Sequence, residues 1–283
     1  YIGRPIKNRA GRFKKGSNLN FGFSISQCLL SLGGKNMTDR QLNRRIEEIT
    51  KKLEEVNCKT IIGGNVIIRD YIVLIDADTE IPSDKWLSDV LREFHLQPKL
   101  GFTQHLTYPM KTNNNTIWES FISHFTTLIY EYGILAATAG GDNSPLVGHN
   151  AVLRMSALKD AMKIKDKDVD FSDYKNCEYK YQRLWSENNV SEDFRLFLDL
   201  TSSGYYGRFI TYTGNKFSEG VSLTYDDEVG KFKKYAYGTC EIMFNRAYYC
   251  CSCKKSVFNT AIKKYISSKV EITSKINLIS YFS

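Results

Sequence analysis

The 283-residue chain has no run of about 18 consecutive apolar residues, so nothing in it reads as a bilayer-spanning helix. No secretory leader is expected from the opening stretch, which starts at Tyr1, not Met, and is basic and glycine-containing with no apolar core region. There is no repeat period and no low-complexity linker. The seven cysteines (28, 58, 177, 240, 250, 251 and 253) are odd in number and four crowd late in the chain, which argues against a disulfide framework and for reduced thiols. The Cys250–Cys253 spacing lacks a second pair or a nearby histidine, which disfavours structural zinc; beside Lys254 and Lys255 these thiols are placed for palmitoylation if the tail nears a membrane. His95, His105 and His124 form no metal spacing, and no recognised nucleic-acid motif occurs. The stretch from Ile276 to Phe282 turns apolar as the chain stops, and both ends look cut, so the expectation is a piece of a longer protein.

What is present suits a folded enzyme. With 42% hydrophobic and 25% charged residues the chain can bury a sizeable core, which excludes disorder and collagen. Lys and Arg number 39 against 31 Asp and Glu, a formal charge of +8 that favours anionic partners such as nucleotide phosphates or an acidic membrane surface. Sequons at Asn36, Asn114 and Asn189 would carry glycans only in a secretory compartment; one at Asn189 would block the acid pair described below, so a cytosolic position is expected.

Residues 37–56 predict a helix: Thr38 and Gln41 form a capping-box pattern, Leu42, Ile46, Ile49 and Leu53 recur at helical spacing, and Glu47–Lys51 and Glu48–Lys52 suit its wet face. The unbroken apolar run Tyr71–Ile75 predicts a buried strand of a parallel sheet. Pro82 and Ser83 open a second helix with Leu87, Val90, Leu91 and Phe94 on one side, and 101–109 predicts another strand. Residues 115–137 predict a long helix, read as a core helix in preference to a membrane-surface one. Alternating strands and helices imply an α/β fold with a mostly parallel sheet.

The sharpest local signal is Asp76-Ala77-Asp78-Thr79 at the end of the predicted strand. An extended backbone puts the two carboxylates on one face, at the sheet edge where α/β proteins bind ligands. Neighbouring carboxylates repel unless a cation or proton lies between them, and hard oxygen donors favour Mg²⁺ or Mn²⁺. Three readings follow from these residues alone. One is a solvated turn, and a second is the metal site of a nucleotide-sugar glycosyltransferase. The third is the nucleophile loop of a haloacid-dehalogenase-like phosphatase, with Asp76 attacking phosphorus and Asp226-Asp227 as a magnesium pair.

The wider pattern bears on that choice. Arg9 to Asn20 stands upstream; downstream come Gln104, then Val147-Gly148-His149-Asn150 running to Arg154, then Val190-Ser191-Glu192-Asp193-Phe194, Gly204-Tyr205 and Glu228 to Phe232. In this order the set resembles the processive, membrane-bound family-2 glycosyltransferases of the cellulose-synthase and chitin-synthase type, closest to a fungal branch. The resemblance spans residues 4–248 and implies a GT-A-type (Rossmann-like) domain whose N-terminal part is missing, followed by a basic juxtamembrane tail at 249–283.

It also implies roles. Lys15, Gly16, Asn18 and Asn20 match a segment against the donor nucleotide, and Asp76 and Asp78 match the motif that contacts the nucleotide-sugar and holds the metal, Mg²⁺ or Mn²⁺. Gly148 and Asn150, with His149 between them, match a segment near the acceptor. Asp193 matches the catalytic base, and Glu192 is its neighbour. Glu228, Lys231 and Phe232 stand where the family has Gln, Arg and Trp, which assigns Lys231 to the donor diphosphate and Phe232 to the acceptor; lysine lacks the guanidinium fork and phenylalanine the indole donor. The implied partners are a UDP-sugar donor, a polysaccharide or glycolipid acceptor, and a membrane reached through absent segments, with the domain on its cytosolic face and no nucleic acid. A degenerate, non-catalytic transferase domain is the remaining alternative.

Overall fold

The structure, a computed structural model, describes residues 1–3, 14–55, 60–112, 116–140, 143–164, 183–187, 189–244 and 257–282. Most of the basic opening segment, Asn114, and the cysteines at 58, 177, 250, 251 and 253 lie outside them.

Two helices and a strand pair form the first layer. Strand β1 (Ile2–Gly3) pairs antiparallel with β2 (Ile61–Ile62). Between them run α1 (Lys14–Ser31) and α2 (Asp39–Glu55), which join Phe21, Ile25 and Leu29 to Leu42, Ile46, Ile49 and Leu53 in a small core. The capping box forms as expected: the Thr38 amide donates to Gln41 Oε1 at 2.9 Å, and the Gln41 amide to Thr38 Oγ1 at 3.4 Å. On the wet face Glu48 pairs with Arg44 and Arg45, upstream on the same helix.

The central sheet has the order β3 (Tyr71–Leu74), β6 (Ala151–Arg154), β4 (Leu100–His105), β7 (Tyr206–Ile210). Strands β3, β4 and β7 run the same way, and β6 runs against its two neighbours. The fold is therefore mixed α/β with helices flanking the sheet, as a GT-A-like domain requires. One expectation shifts: β3 is an edge strand of the described sheet and three of its four residues are only half-buried. Its apolar run reflects two partly covered faces, where a buried strand of a parallel sheet was predicted. Strands β5 (Thr107–Met110) and β8 (Phe217–Gly220) continue the β4–β7 pairing beyond a break.

Alternation along the strands divides the core. Ala151 and Leu153 enter the larger cluster with Phe102, Leu158, Leu196 and Leu200; Val152 enters the other with Trp86, Phe94 and Phe217. Helix α3 (Trp86–Leu96) covers the second face through Trp86, Val90 and Phe94. Arg154 donates to the carbonyls of Phe94, Gln97 and Leu100, closing the end of that helix onto the sheet. Helices α6 (Met155–Ile164) and α7 (Glu192–Ser202) cover the first face, with α8 (Tyr225–Met243) beyond α7.

One further expectation changes here. The segment predicted as one core helix is α4 (Ile117–Leu128), a π-turn (Ile129–Ile134) and α5 (Leu135–Ala139). Its buried positions in α4 are Glu119, Ile122 and Ser123, whereas Ile117 is 91% exposed and Phe121 61%. Glu119 is turned inward because it accepts from the Thr112 amide and hydroxyl, so the apolar side faces out. Helices α9 (Thr260–Ser267) and α10 (Ile272–Phe282) bring Ala261, Ile262, Tyr265 and Leu278 into the main core beside Phe197.

Candidate active site

The chain leaves β3 at Leu74 and exposes Asp76 and Asp78 in the turn that follows. Two contacts fix this turn. The Thr79 amide donates back to the Asp76 carbonyl, and Glu80 bonds Ser218 of β8 in both directions at 2.9 and 3.1 Å. The strand-end acid pair is thereby stitched to β8, and Asp78 Oδ2 lies 3.2 Å from where a Cβ on Gly220 would stand.

Next to it lies the loop entering β6. Gln104, wholly buried in β4, donates to the His149 carbonyl at 2.9 Å and accepts from the Val147 amide at 2.8 Å. A buried glutamine in a core strand is explained by that loop, whose backbone groups would otherwise lack partners. Gly148 has φ +92° and Asn150 φ +48°, both left-handed conformations, and together they turn the backbone tightly at His149.

The acid motif comes from the other side. Asp193, in the first turn of α7, packs on Gly148 so closely that a Cβ there would fall 2.3 Å from Asp193 Oδ2. Lys15 closes the triangle: its Nζ donates to the Gly148 carbonyl at 2.9 Å and lies 3.6 Å from Asp76 Oδ1. Asp76, Lys15, Gly148 and Asp193 therefore share one mouth.

Electrostatics follow from the burial. Glu192 is pushed up to about 7, first by burial and then by the negative charge of Asp193, with Lys15 and Lys234 pulling the other way. Burial also raises Asp193, against the Phe194 amide, Lys15 and His149. Glu219 ends below the ordinary carboxylate range: burial would raise it, but His149, Thr79 and Asn150 outweigh that. Burial brings His105 down to about 3, so this ring is a neutral core histidine between Thr103 and Tyr212.

The other residues singled out from sequence are placed as follows. Gly16 abuts the Ser186 carbonyl and Glu192, so the upstream glycine serves the acid motif. Asn18 is exposed on α1. Asn20 is wholly buried and its amide is consumed internally: it donates to Trp185 O and Glu187 Oε1 and accepts from the Leu184 and Trp185 amides. It is a strut, unavailable to a nucleotide. Lys231 pairs with Glu228 at 3.8 Å, while the α8 lysine whose charge reaches Glu192 is Lys234, one turn further on. Phe232 is 49% exposed and lies 6.4 Å from Phe125, ring to ring.

Glu219 was not anticipated. Its Oε1 accepts from Asn150 Nδ2 at 2.7 Å and Thr79 Oγ1 at 3.0 Å, and stands 2.7 Å from His149 Nδ1. Strand period was the available signal: Phe217 is a core residue, and two positions on, Glu219 has to share its inward face. Asp76, His149 and Glu219 present ligand atoms all within 4.8 Å of one another, the metal-compatible cluster among the described residues. Asp226 and Asp227 open α8 outside that cluster, with the Asp227 amide bonded to Thr224 Oγ1 at 3.2 Å.

Residues 71–282 match the family described as glycosyl transferase family group 2. No curated protein matches the chain. The match covers most of the chain, including the acid pair, the loop at Gly148 and the acid motif, and it sets aside the phosphatase alternative. The chain belongs to glycosyl transferase family group 2 and is a glycosyltransferase, a family whose reaction is inverting glycosyl transfer.

Proposed function

We propose that the chain transfers a sugar from a nucleotide-sugar, UDP-linked by resemblance, to a polysaccharide or glycolipid acceptor, with Asp193 as the base. The observation that carries this is the seating of the Asp193 carboxylate on Gly148, joined through Lys15 to Asp76. The acceptor hydroxyl gives its proton to Asp193 as its oxygen bonds the anomeric carbon and the bond to the diphosphate breaks. A positioned base of this kind contributes about 10²–10⁴-fold. Burial raises Asp193, which increases its affinity for that proton. One base and no second nucleophile give inversion. Lys15 and Lys234 supply positive charge near the departing diphosphate, and Phe232 and Tyr235 offer flat faces to the acceptor.

The donor set beside Asp76 fits a divalent cation, carboxylates with one imidazole, and the buried Asn150 Oδ1 next to it has no hydrogen-bond partner. Such an ion, Mg²⁺ or Mn²⁺, supplies charge neutralisation for the diphosphate. By resemblance Asp76 and Asp78 would hold it.

The processive, membrane-bound, fungal type is supported by the order of the motifs. A cytosolic membrane face is supported by the outward apolar side of α4 and by Lys231, Lys233 and Lys234 on the facing helix; Trp118 and Phe125 of α4 meet Tyr225 and Phe232 of α8. No helix among the described residues is long and apolar enough to cross a membrane. The catalytic unit at 1–248 and a membrane-directed role for 249–283 complete the proposal. The test is nucleoside-diphosphate release across a panel of nucleotide-sugars. Turnover should fall at least about 100-fold in Asp193→Asn; unchanged turnover discards Asp193 as the base.

A further inference from the structure

We infer that Glu219 is a positioning residue: it holds His149 with the ring proton on Nδ1, so that Nε2 offers a lone pair to a hydroxyl of the acceptor sugar. The inference rests on the proposed transfer for there being a sugar acceptor; the pairing of Glu219 with His149 comes from the geometry.

Glu219 stands on β8, two residues past the core residue Phe217, and its side chain is 16% exposed. Its Oε1 gathers three groups: Asn150 Nδ2 at 2.7 Å, Thr79 Oγ1 at 3.0 Å and His149 Nδ1 at 2.7 Å. Such a gathering suits an ionised carboxylate, which only accepts; a protonated one would bring a further hydrogen to a place already filled with them. The proton between Glu219 and His149 therefore belongs to Nδ1, because two lone pairs would otherwise face each other at 2.7 Å. A neutral imidazole carries one N–H, which leaves Nε2 as a bare acceptor.

The rest of His149 is already committed. Its carbonyl accepts from Gln104 at 2.9 Å, and the left-handed conformations of Gly148 and Asn150 set the turn on either side. The side chain still keeps 19% of its surface open. Gly148, its neighbour in the chain, is the seat of the Asp193 carboxylate, so the ring and the proposed base stand at the same mouth. Asp193 takes the proton of the reacting hydroxyl, while a second hydroxyl of the same sugar donates to Nε2 and keeps its own proton. Thr79 lies in the turn that carries Asp76 and Asp78, so Glu219 also ties the loop at His149 to that turn.

The test is nuclear magnetic resonance of the 283-residue chain with nitrogen-15 histidine, at about pH 8, where an ordinary imidazole is neutral. His149→Gln assigns the signal among the four histidines. Wild type should show Nδ1 protonated and Nε2 bare. Glu219→Gln should shift His149 toward the Nε2–H tautomer, since the amide brings hydrogens of its own into the cluster. At least one of a panel of octyl hexosides, added as acceptors, should move the Nε2 signal. In diphosphate release with that glycoside, Glu219→Gln should raise acceptor KM about tenfold and leave donor KM within about twofold. In a His149→Gln background the same substitution should add little, because the ring it positions is gone; a purely structural role would show its full effect there.

An Nε2–H ring in wild type, a His149 signal indifferent to Glu219→Gln, no response of Nε2 to any glycoside, or a full effect of Glu219→Gln without His149 would overturn the inference. Each of these leaves the transfer reaction standing. No turnover of any nucleotide-sugar, with the Nδ1–H ring in place, would instead reject that reaction and leave the hold of Glu219 on His149 intact.

Discussion

Gly148 and Asp193 are packed so that no side chain can stand between them: a Cβ on Gly148 would fall 2.3 Å from Asp193 Oδ2 and 2.8 Å from its Cβ. With φ +92°, the glycine is required twice, for its backbone and for the carboxylate beside it. Gly148→Ala should push the carboxylate out of the mouth. A displacement near 1 Å costs about 100-fold in turnover, with stability falling by about 1–2 kcal/mol. Steady-state diphosphate release alongside urea denaturation separates the two effects. Turnover within a few-fold of wild type would show that the contact does not matter.

Glu192 makes stability depend on pH. Its folded value of about 7 lies above the ordinary 4.5, so the native state holds this proton more tightly than the unfolded chain does. The resulting stabilisation is fully present below about pH 4.5 and is lost as pH rises through 7. Glu192→Gln keeps the neutral shape at all pH values. Its stability relative to wild type should therefore rise by about 2 kcal/mol between pH 5 and 8, as read from urea midpoints. A difference that does not move with pH would contradict the burial argument.

Helix α2 was legible in sequence because it follows local rules. Thr38 with Gln41 and the Leu42-Ile46-Ile49-Leu53 spacing carry the information for α2 within one segment. Contacts between distant segments were not legible. Nothing local says that Asn20 turns its amide onto residues 184–187, or that Glu119 is buried by Thr112 and so leaves Ile117 and Phe121 in solvent. Glu219 belongs to the same class: β8 is four residues long and paired across 110 positions to Thr107, so the two-residue period from Phe217 is a short signal that does not name its partners.

Gly238 of α8 faces Ser191, the residue before the acid pair, and a Cβ there would fall 2.2 Å from Ser191 Oγ. Glu241 adds a second latch by accepting from the Val190 amide at 3.0 Å. Gly238→Ala should pry α8 from the acid motif and lower both stability and turnover. Ser191→Ala removes the nearest atom, so the double variant should be less impaired than the two single effects added, by about 0.5–3 kcal/mol in the stability cycle. Strict additivity would mean that the two sites do not touch.

Gln104 tests whether the loop at His149 is held from beneath. Gln104→Leu keeps the volume but strands the Val147 amide and the His149 carbonyl, each an unpaired backbone group beside the core. The expected cost is about 2–4 kcal/mol of stability. Loss of acceptor affinity should accompany it, seen as a raised KM for acceptor with little change for donor. An unaltered acceptor KM would detach the loop from acceptor binding.

Lys15 is the cation already resting near Asp76, 3.6 Å from Oδ1, with both side chains 45% exposed. A divalent ion at Asp76 has to share that carboxylate or displace the ammonium, so the two compete. Lys15→Met should therefore tighten Mn²⁺ binding while slowing transfer, because the diphosphate loses a positive neighbour. The gain is small, since an exposed pair is worth about 0–1 kcal/mol, or up to about fivefold in affinity. Opposite movement of the two readouts, Mn²⁺ affinity up and diphosphate release down, separates competition from general damage. If both fell together, Lys15 would be helping to build the metal site.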